Sequence, residues 1–220
     1  MSTAPLPVKR RKAARQALKA SIMIQGLTGD GKSGLAIALA YVLADKDWDL
    51  IDATDTENAS LDLFVGLKNI DGGIIGQFHV TDLDETIGYK PSYYIALRDV
   101  AIEAGSKVWI GDSISHAWQY EGGVLDIVNE TKKGSTSKDN YAVWNEDSVK
   151  YEKNKLLPMV RSNKIHVITT VRVKEKQEYV PDPDNPKKNI LKSLGAQPIQ
   201  QPELKYEPDL VLSMVSPAVS

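Results

Sequence analysis

Residues 26–33 read Gly26-Leu27-Thr28-Gly29-Asp30-Gly31-Lys32-Ser33, which fits the spacing Gly-x-x-x-x-Gly-Lys-Ser/Thr. Before it stands the apolar run Ser21 to Gln25, and after it Gly34 opens the helix-like run Leu35 to Leu43, so the motif lies in a strand–loop–helix setting. Gly26, Gly29 and Gly31 open backbone conformations closed to residues with side chains. Successive N–H groups can then turn onto one phosphate while the following helix presents its positive end. In this pattern Lys32 bridges the β and γ phosphates of a nucleoside triphosphate and the Ser33 hydroxyl ligates Mg2+. Leu27, Thr28 and Asp30 fill the variable positions and Gly34 follows in the first helical turn, so residues 26–34 form the expected phosphate cradle. An ordinary glycine-rich turn is the alternative, and it requires neither the lysine nor the hydroxyl.

Working outward, strand-like and helix-like runs alternate. Trp48 to Ala53 precedes Ser60 to Leu67; Ile74 to Val80 precedes Ser92 to Ala104; Val108 to Gly111 precedes a helix within Val149 to Arg161, and His166 to Val171 follows. Alternation of this kind predicts an α/β fold of three layers, a P-loop NTPase with a mainly parallel central sheet. Residues 1–20 hold Lys9, Arg10, Arg11, Lys12, Arg15 and Lys19 without an acid and read as a basic flexible arm; residues 21–220 are expected to form the domain. Two polar stretches, Asn129 to Trp144 and Lys174 to Pro202, break the rhythm and are expected to be mobile loops.

The composition narrows the chemistry. A chain of 220 residues, 42% hydrophobic, can bury one substantial core, and a net charge of -2 gives no global attraction to a polyanion. The absence of cysteine excludes disulfides, thiolate nucleophiles and Cys-ligated zinc, and agrees with a reducing cytoplasm. His79, His116 and His166 are far apart beside apolar runs and are expected to be core or strand-end residues. The longest apolar stretch, Leu35 to Ala44, is too short for a membrane span, so a cytoplasmic protein is expected.

Two further carboxylates are candidates. Asp112, after Val108 to Gly111, can support the Mg2+ shell, or it merely caps the next helix. Glu57, after the second strand, can serve as the base that activates water, or it is one exposed acid among Asp45, Asp47, Asp49, Asp52 and Asp55. That acidic run is no calcium loop, since Leu50 stands where glycine is needed and Thr56 where the bidentate Glu belongs. Guanine-specific recognition is missing too: Asn163-Lys164-Ile165-His166 lacks the carboxylate of the Asn-Lys-x-Asp pattern.

With these residues on the page, the chain resembles the RecA-type core ATPases, and more narrowly the short RecA-like ATP-binding proteins that phages carry for recombination. "DTENAS" (residues 55–60) looks like that family's second-strand segment with its catalytic Glu, here Glu57. "VWIGDSISHAW" (108–118) is similar to its Asp-Ser magnesium strand, here Asp112. "VITTVRVKEK" (167–176) looks like the strand that senses the γ-phosphate and leads to the second DNA loop. That likeness implies Thr170 as sensor, where the family usually has a longer amide, with Arg172 and Lys174 just beyond. "ILKSLGAQPIQQPELKYEPDLVLSM" (190–214) resembles the returning strands, where Lys192 is in position to reach a neighbour's nucleotide.

The polar stretches fall where such cores put two DNA loops. In the first, Lys132, Lys133 and Lys138 can neutralise phosphates while Tyr141 and Trp144 offer stacking faces, each worth about 1–3 kcal/mol per base, a combination suited to a single strand; the alternative is a solvated loop in which Trp144 is simply the first core residue of the next helix. In the second, Arg172, Lys174, Lys187 and Lys188 are interspersed with acids. The expectation is an ATPase using ATP and Mg2+, coupled to single-stranded DNA in phage recombination or replication. It would act as a homo-oligomer, ring or filament, with an annealing or single-strand-binding protein as possible partner. The alternatives are a ring motor or helicase subunit, an assembly switch without DNA, or a small-molecule kinase. The kinase ranks lowest, because only Arg98, Arg161 and Arg172 follow the glycine loop.

Overall fold

Six apolar or β-branched runs end in a polar residue or glycine, and the chain makes a parallel strand of each. The computed structural model describes residues 12, 18–134, 140–181, 185 and 188–215, the side chains at 140, 141, 193 and 194 excepted. The strands are β1 (Ser21–Gly26), β2 (Ile51–Asp55), β3 (His79–Asp82), β4 (Val108–Asp112), β5 (His166–Pro181), β6 (Asn189–Pro198) and β7 (Leu210–Ser213). They lie in one sheet in the order β3-β2-β4-β5-β1-β7, all pairs parallel, with β6 joined antiparallel to the far half of β5. The helices are α1 (Lys32–Leu43), α2 (Pro91–Glu103), α3 (Ser115–Gln119), α4 (Val124–Gly134), α5 (Asn140–Trp144), α6 (Asp147–Lys153) and α7 (Leu156–Met159). The expected three-layer α/β architecture is the one found.

Central strands buried on both faces need apolar residues at successive positions, and these have them. Ile22, Ile24, Ile51, Val108, Ile110 and Ile168 pack with Ala36, Ile37 and Ala40 of α1 on one face. Met23, Trp109, Val167 and Val171 pack with Tyr94 and Ala101 of α2 and Leu156 and Met159 of α7 on the other. The buried Glu152 of α6 ties that helix to α2 by accepting from Ser92 N and Oγ at the start of α2.

Several expected boundaries move. The segment expected as a strand over Ile74 to Val80 joins the sheet only from His79; before it, Ile74 makes an isolated antiparallel bridge to Lys68 and the backbone crosses Trp48. A side chain at Gly76 would stand 2.5 Å from that ring. The helix expected from Ser60 is one 3₁₀ segment, Ser60–Phe64. The region around Val149 to Arg161 breaks into α6 and α7, with Pro158 in the short second helix, where its missing N–H costs little. Nor are the polar stretches simply loops. The first contributes most of α4 and all of α5; the second is chiefly a two-stranded ribbon of β5 and β6, its register shift between Glu175 and Gln177 facing the part of β6 that holds Gly195 at φ 86°. Tyr179 and Leu191, cross-strand partners on the ribbon, are exposed. Among the described residues no helix is long and apolar enough to cross a membrane.

Candidate functional site

Parallel strands bring their C-terminal ends to one edge of the sheet, and register puts Asp82, Asp55 and Asp112 level across β3, β2 and β4, with Arg172 opposite Gly26 across β5 and β1. The glycine loop leaves β1 at this edge. Gly29 and Gly31 have φ of 89° and 82°, in the left-handed region that only glycine enters without strain. Gly26 is required for packing instead, since a Cβ there would lie 2.8 Å from Met214 Cβ and 2.9 Å from Asp30 Oδ2. Asp30 Oδ2 accepts from Leu27 N at 2.6 Å and closes the loop on itself. No side chain caps α1 and no acid stands in its first turn, which leaves the N–H groups of that turn for a ligand.

Lys32 is buried and donates from Nζ to Leu27 O at 2.7 Å. Burial lowers its pKa, opposed by the carboxylates of Glu57, Asp112 and Asp30. With Thr28, Ser33, Ser60, Leu63 and Phe64 it lines a cavity of about 260 Å³, and Glu57 forms part of the same wall. Gly34 lies under Phe64, whose ring would be 3.1 Å from a Cβ at that position.

Asp112 ends β4 and is buried to 1% exposure. Burial raises its pKa, opposed by the neighbouring hydroxyls of Ser33 and Thr170. Thr170 donates to Oδ1, whereas Oδ2 has no hydrogen-bond partner of good geometry. A buried carboxylate oxygen without a partner is costly, and beside the Ser33 hydroxyl it suits a hydrated divalent cation, a hard ion that takes oxygen ligands. The donor set therefore fits Mg2+. Thr170, expected as a phosphate sensor, directs its hydroxyl to this carboxylate.

Glu57 is carried by a loop that Asp55 builds. Asp55, itself buried, accepts from Glu57 N at 2.6 Å and Leu61 N at 2.8 Å, and burial raises its pKa against those two bonds. Asn58 and Ala59 adopt φ of 57° and 56°, a conformation uncommon without glycine. Glu57 Oε1 accepts from Arg172 Nε at 2.9 Å, with both side chains about one-quarter exposed. Beyond this pair opens a second cavity of about 730 Å³, rimmed by Asp84, Glu85, Tyr89, His116, Tyr120 and Glu121.

The residues expected to touch nucleic acid do not form one group. Lys132 and Lys133 end α4, where Lys133 pairs with Glu130 at 2.6 Å. Trp144 is partly buried against the core, stacked on Trp118 at 6.4 Å between centroids with Lys153 over its ring. Lys174 and Lys188 are exposed, the first on the ribbon and the second just before its returning strand. Arg172 is at the ribbon's root, engaged with Glu57. Lys138 and Lys187 lie outside the described residues, as does nearly all of the basic arm.

Sequence reasoning missed Asp55, Thr56, His116 and Tyr120. His116 is buried, as expected, and it also lines the larger cavity, packs edge-on to Tyr120 at 4.2 Å, and contacts the Thr56 hydroxyl through Nδ1. Burial, and then the charge of Arg172, holds its pKa down to about 4. The only advance sign of Asp55 was an Asp two residues before the candidate Glu, the spacing of an Asx turn. No protein-family model matches the chain, and no curated protein matches it either.

Proposed function

We propose that this chain binds ATP with Mg2+ on the glycine loop, hydrolyses it with Glu57 as general base, and couples that cycle to single-stranded DNA. The setting we propose is phage recombination or replication, with identical subunits assembled as a ring or filament and an annealing or single-strand-binding protein as partner. One observation carries the reading: Lys32, Ser33, Glu57 and the unpartnered Oδ2 of Asp112 meet at the uncapped start of α1.

In this reading the first turn of α1 and the loop N–H groups bind the β-phosphate, and Lys32 exchanges Leu27 O for phosphate oxygens. Ser33 and Asp112 hold Mg2+, which neutralises phosphate charge when bound. Thr170 fixes Asp112 by Oδ1 and so leaves Oδ2 for that shell. Glu57 takes a proton from the water that attacks the γ-phosphorus; the bond to the ADP oxygen breaks, and ADP and inorganic phosphate leave. A phosphorylated acceptor in the larger cavity would find a single arginine, Arg172, rather than the several that clamp a second phosphate substrate. DNA is assigned to the ribbon, where Lys174, Lys176 and Lys192 are exposed.

The test is the steady-state ATPase rate at low salt, with Mg2+, titrated with oligo(dT), using Lys32→Ala as the blank. A Lys32-dependent rate that DNA stimulates and salt suppresses is expected. A Lys32-dependent rate indifferent to DNA removes the DNA half of the reading, and no such rate removes the whole.

A further inference from the structure

Glu57 stands in the partition between two cavities. It lines the phosphate cavity with Lys32 and Ser33, and it lines the larger cavity with Arg172 and Tyr120. Its Oε1 is bound on the second side, by Arg172 Nε at 2.9 Å. While that bond is made, Oε1 is held on the far side of the partition and is not placed to take a proton from a water in the phosphate cavity.

Arg172 is itself held from several directions. Its Nη1 donates to Tyr120 Oη at 3.1 Å, its guanidinium lies 5.9 Å from the centre of that ring, and its backbone N donates to Ser115 Oγ at 2.9 Å. Tyr120 in turn packs on His116, which is tied through Thr56 to the end of β4, where Ser113 N donates to the Thr56 hydroxyl at 2.8 Å. Arg172 also marks a change in β5. It is the last residue of that strand paired with β1, and the next residue, Val173, begins the antiparallel pairing with β6. Whatever draws on the ribbon draws on the segment that carries this arginine.

We infer that Arg172 is a positioning residue that restrains Glu57, and that a nucleic-acid phosphate engaged at the root of the ribbon releases it by taking over the guanidinium. The inference rests on the proposed function and adds its regulation. The exchange is chemically even, one anionic oxygen partner for another, and a pair about one-quarter exposed is weak enough to be displaced. Freed, the carboxylate turns into the phosphate cavity. The same guanidinium could instead move to the γ-phosphate of bound nucleotide, and the two sources predict opposite signs for one substitution.

The experiment compares wild type, Arg172→Gln, Arg172→Lys, Glu57→Gln and Lys32→Ala, each with and without oligo(dT), reading kcat and KM for ATP separately. Binding of a fluorescent ATP analogue and the thermal midpoint serve as folding controls. Release by DNA predicts that Arg172→Gln raises the DNA-free kcat by about fivefold or more, leaves KM unchanged and abolishes stimulation, with Arg172→Lys intermediate. A fall in kcat for Arg172→Gln, with or without DNA, overturns the inference and assigns the arginine to the γ-phosphate. An unchanged rate that DNA still stimulates overturns it as well. If the wild-type rate does not depend on Lys32 and Glu57, the hydrolysis reading fails, and an arginine Nε–H signal in nuclear magnetic resonance decides the contact separately. That signal should be protected from exchange in wild type, altered in Glu57→Gln and lost on adding oligo(dT). Persistence of the protected signal with saturating oligo(dT) rules out release by DNA.

Discussion

The two loops that wall the phosphate cavity are built by opposite means. The glycine loop obtains its left-handed residues from Gly29 and Gly31, where nothing lies within 4 Å of a would-be Cβ, so the backbone is free to shape itself around a ligand. The loop carrying Glu57 obtains the same region of backbone space from Asn58 and Ala59, and is held there by a buried carboxylate, Asp55. One loop reaches this region without strain; the other is strained and pinned from beneath. Strain that persists beside a candidate base is of the kind that the surrounding structure must maintain, and it makes the second loop the more sensitive of the two.

Substitutions separate them by readout. The largest effect is expected from the chemistry each loop carries. Lys32→Ala should abolish ATP binding as measured by calorimetry, whereas Glu57→Gln should bind ATP normally and lose about 10²–10⁴-fold in kcat; normal turnover by Glu57→Gln would withdraw it as the base. Next, Asp55→Ala removes the acceptor for two backbone N–H groups, so stability should fall by about 1–3 kcal/mol in urea and kcat should fall while ATP still binds. An undiminished kcat would mean that the Glu57 loop keeps its shape without Asp55.

A smaller effect of opposite sign is expected at Asp112. Burial raises the folded pKa above that of the unfolded chain, so the ionised form costs stability above the folded pKa and nothing below the ordinary carboxylate range. Asp112→Asn should therefore raise the thermal midpoint at neutral pH by a few degrees, about 2–4 °C per kcal/mol gained, while losing Mg2+-dependent turnover. The gain should shrink as pH falls toward the carboxylate range, and a gain that grows with acid would contradict the assigned shift. Smallest of all, Ala59→Gly relieves the left-handed backbone and should stabilise the protein by about 0.5–1 kcal/mol, with Gly29→Ala as the contrasting loss.

The same contrast explains what could be read in advance. The strand–loop–helix turn with Gly29 and Gly31 in left-handed backbone was legible from the spacing of Gly26, Gly31, Lys32 and Ser33, and the β1, β4 and β5 runs because strands buried on both faces are apolar throughout. Asp55 was not, since five acids within eleven residues look alike until one is buried. The ribbon was hidden for a different reason: "KEKQEYV", residues 174–180, has no apolar face to reveal a period of two, and its pairing includes a bulge in β6 at residues 194–195. Arg172 was read as a DNA contact from its neighbours in sequence, whereas its partner Glu57 is 115 residues away. Local pattern reports local need, and a cross-sheet ion pair leaves no such trace.

The position of β1 has a consequence for biosynthesis. Its neighbours in the sheet are β5 and β7, so Ser21 pairs with Val167 and Ile22 with Leu210. During translation the glycine loop emerges before its partners; its strand stays unsupported on both sides until β5 has been made and on one side until β7, when Met214 also closes over Gly26. Contacts so distant in sequence form late and slowly. A ribosome-bound fragment ending before residue 166 should therefore have no seated loop, and ATP should act as a ligand that rewards completion of the chain rather than one that guides its first steps.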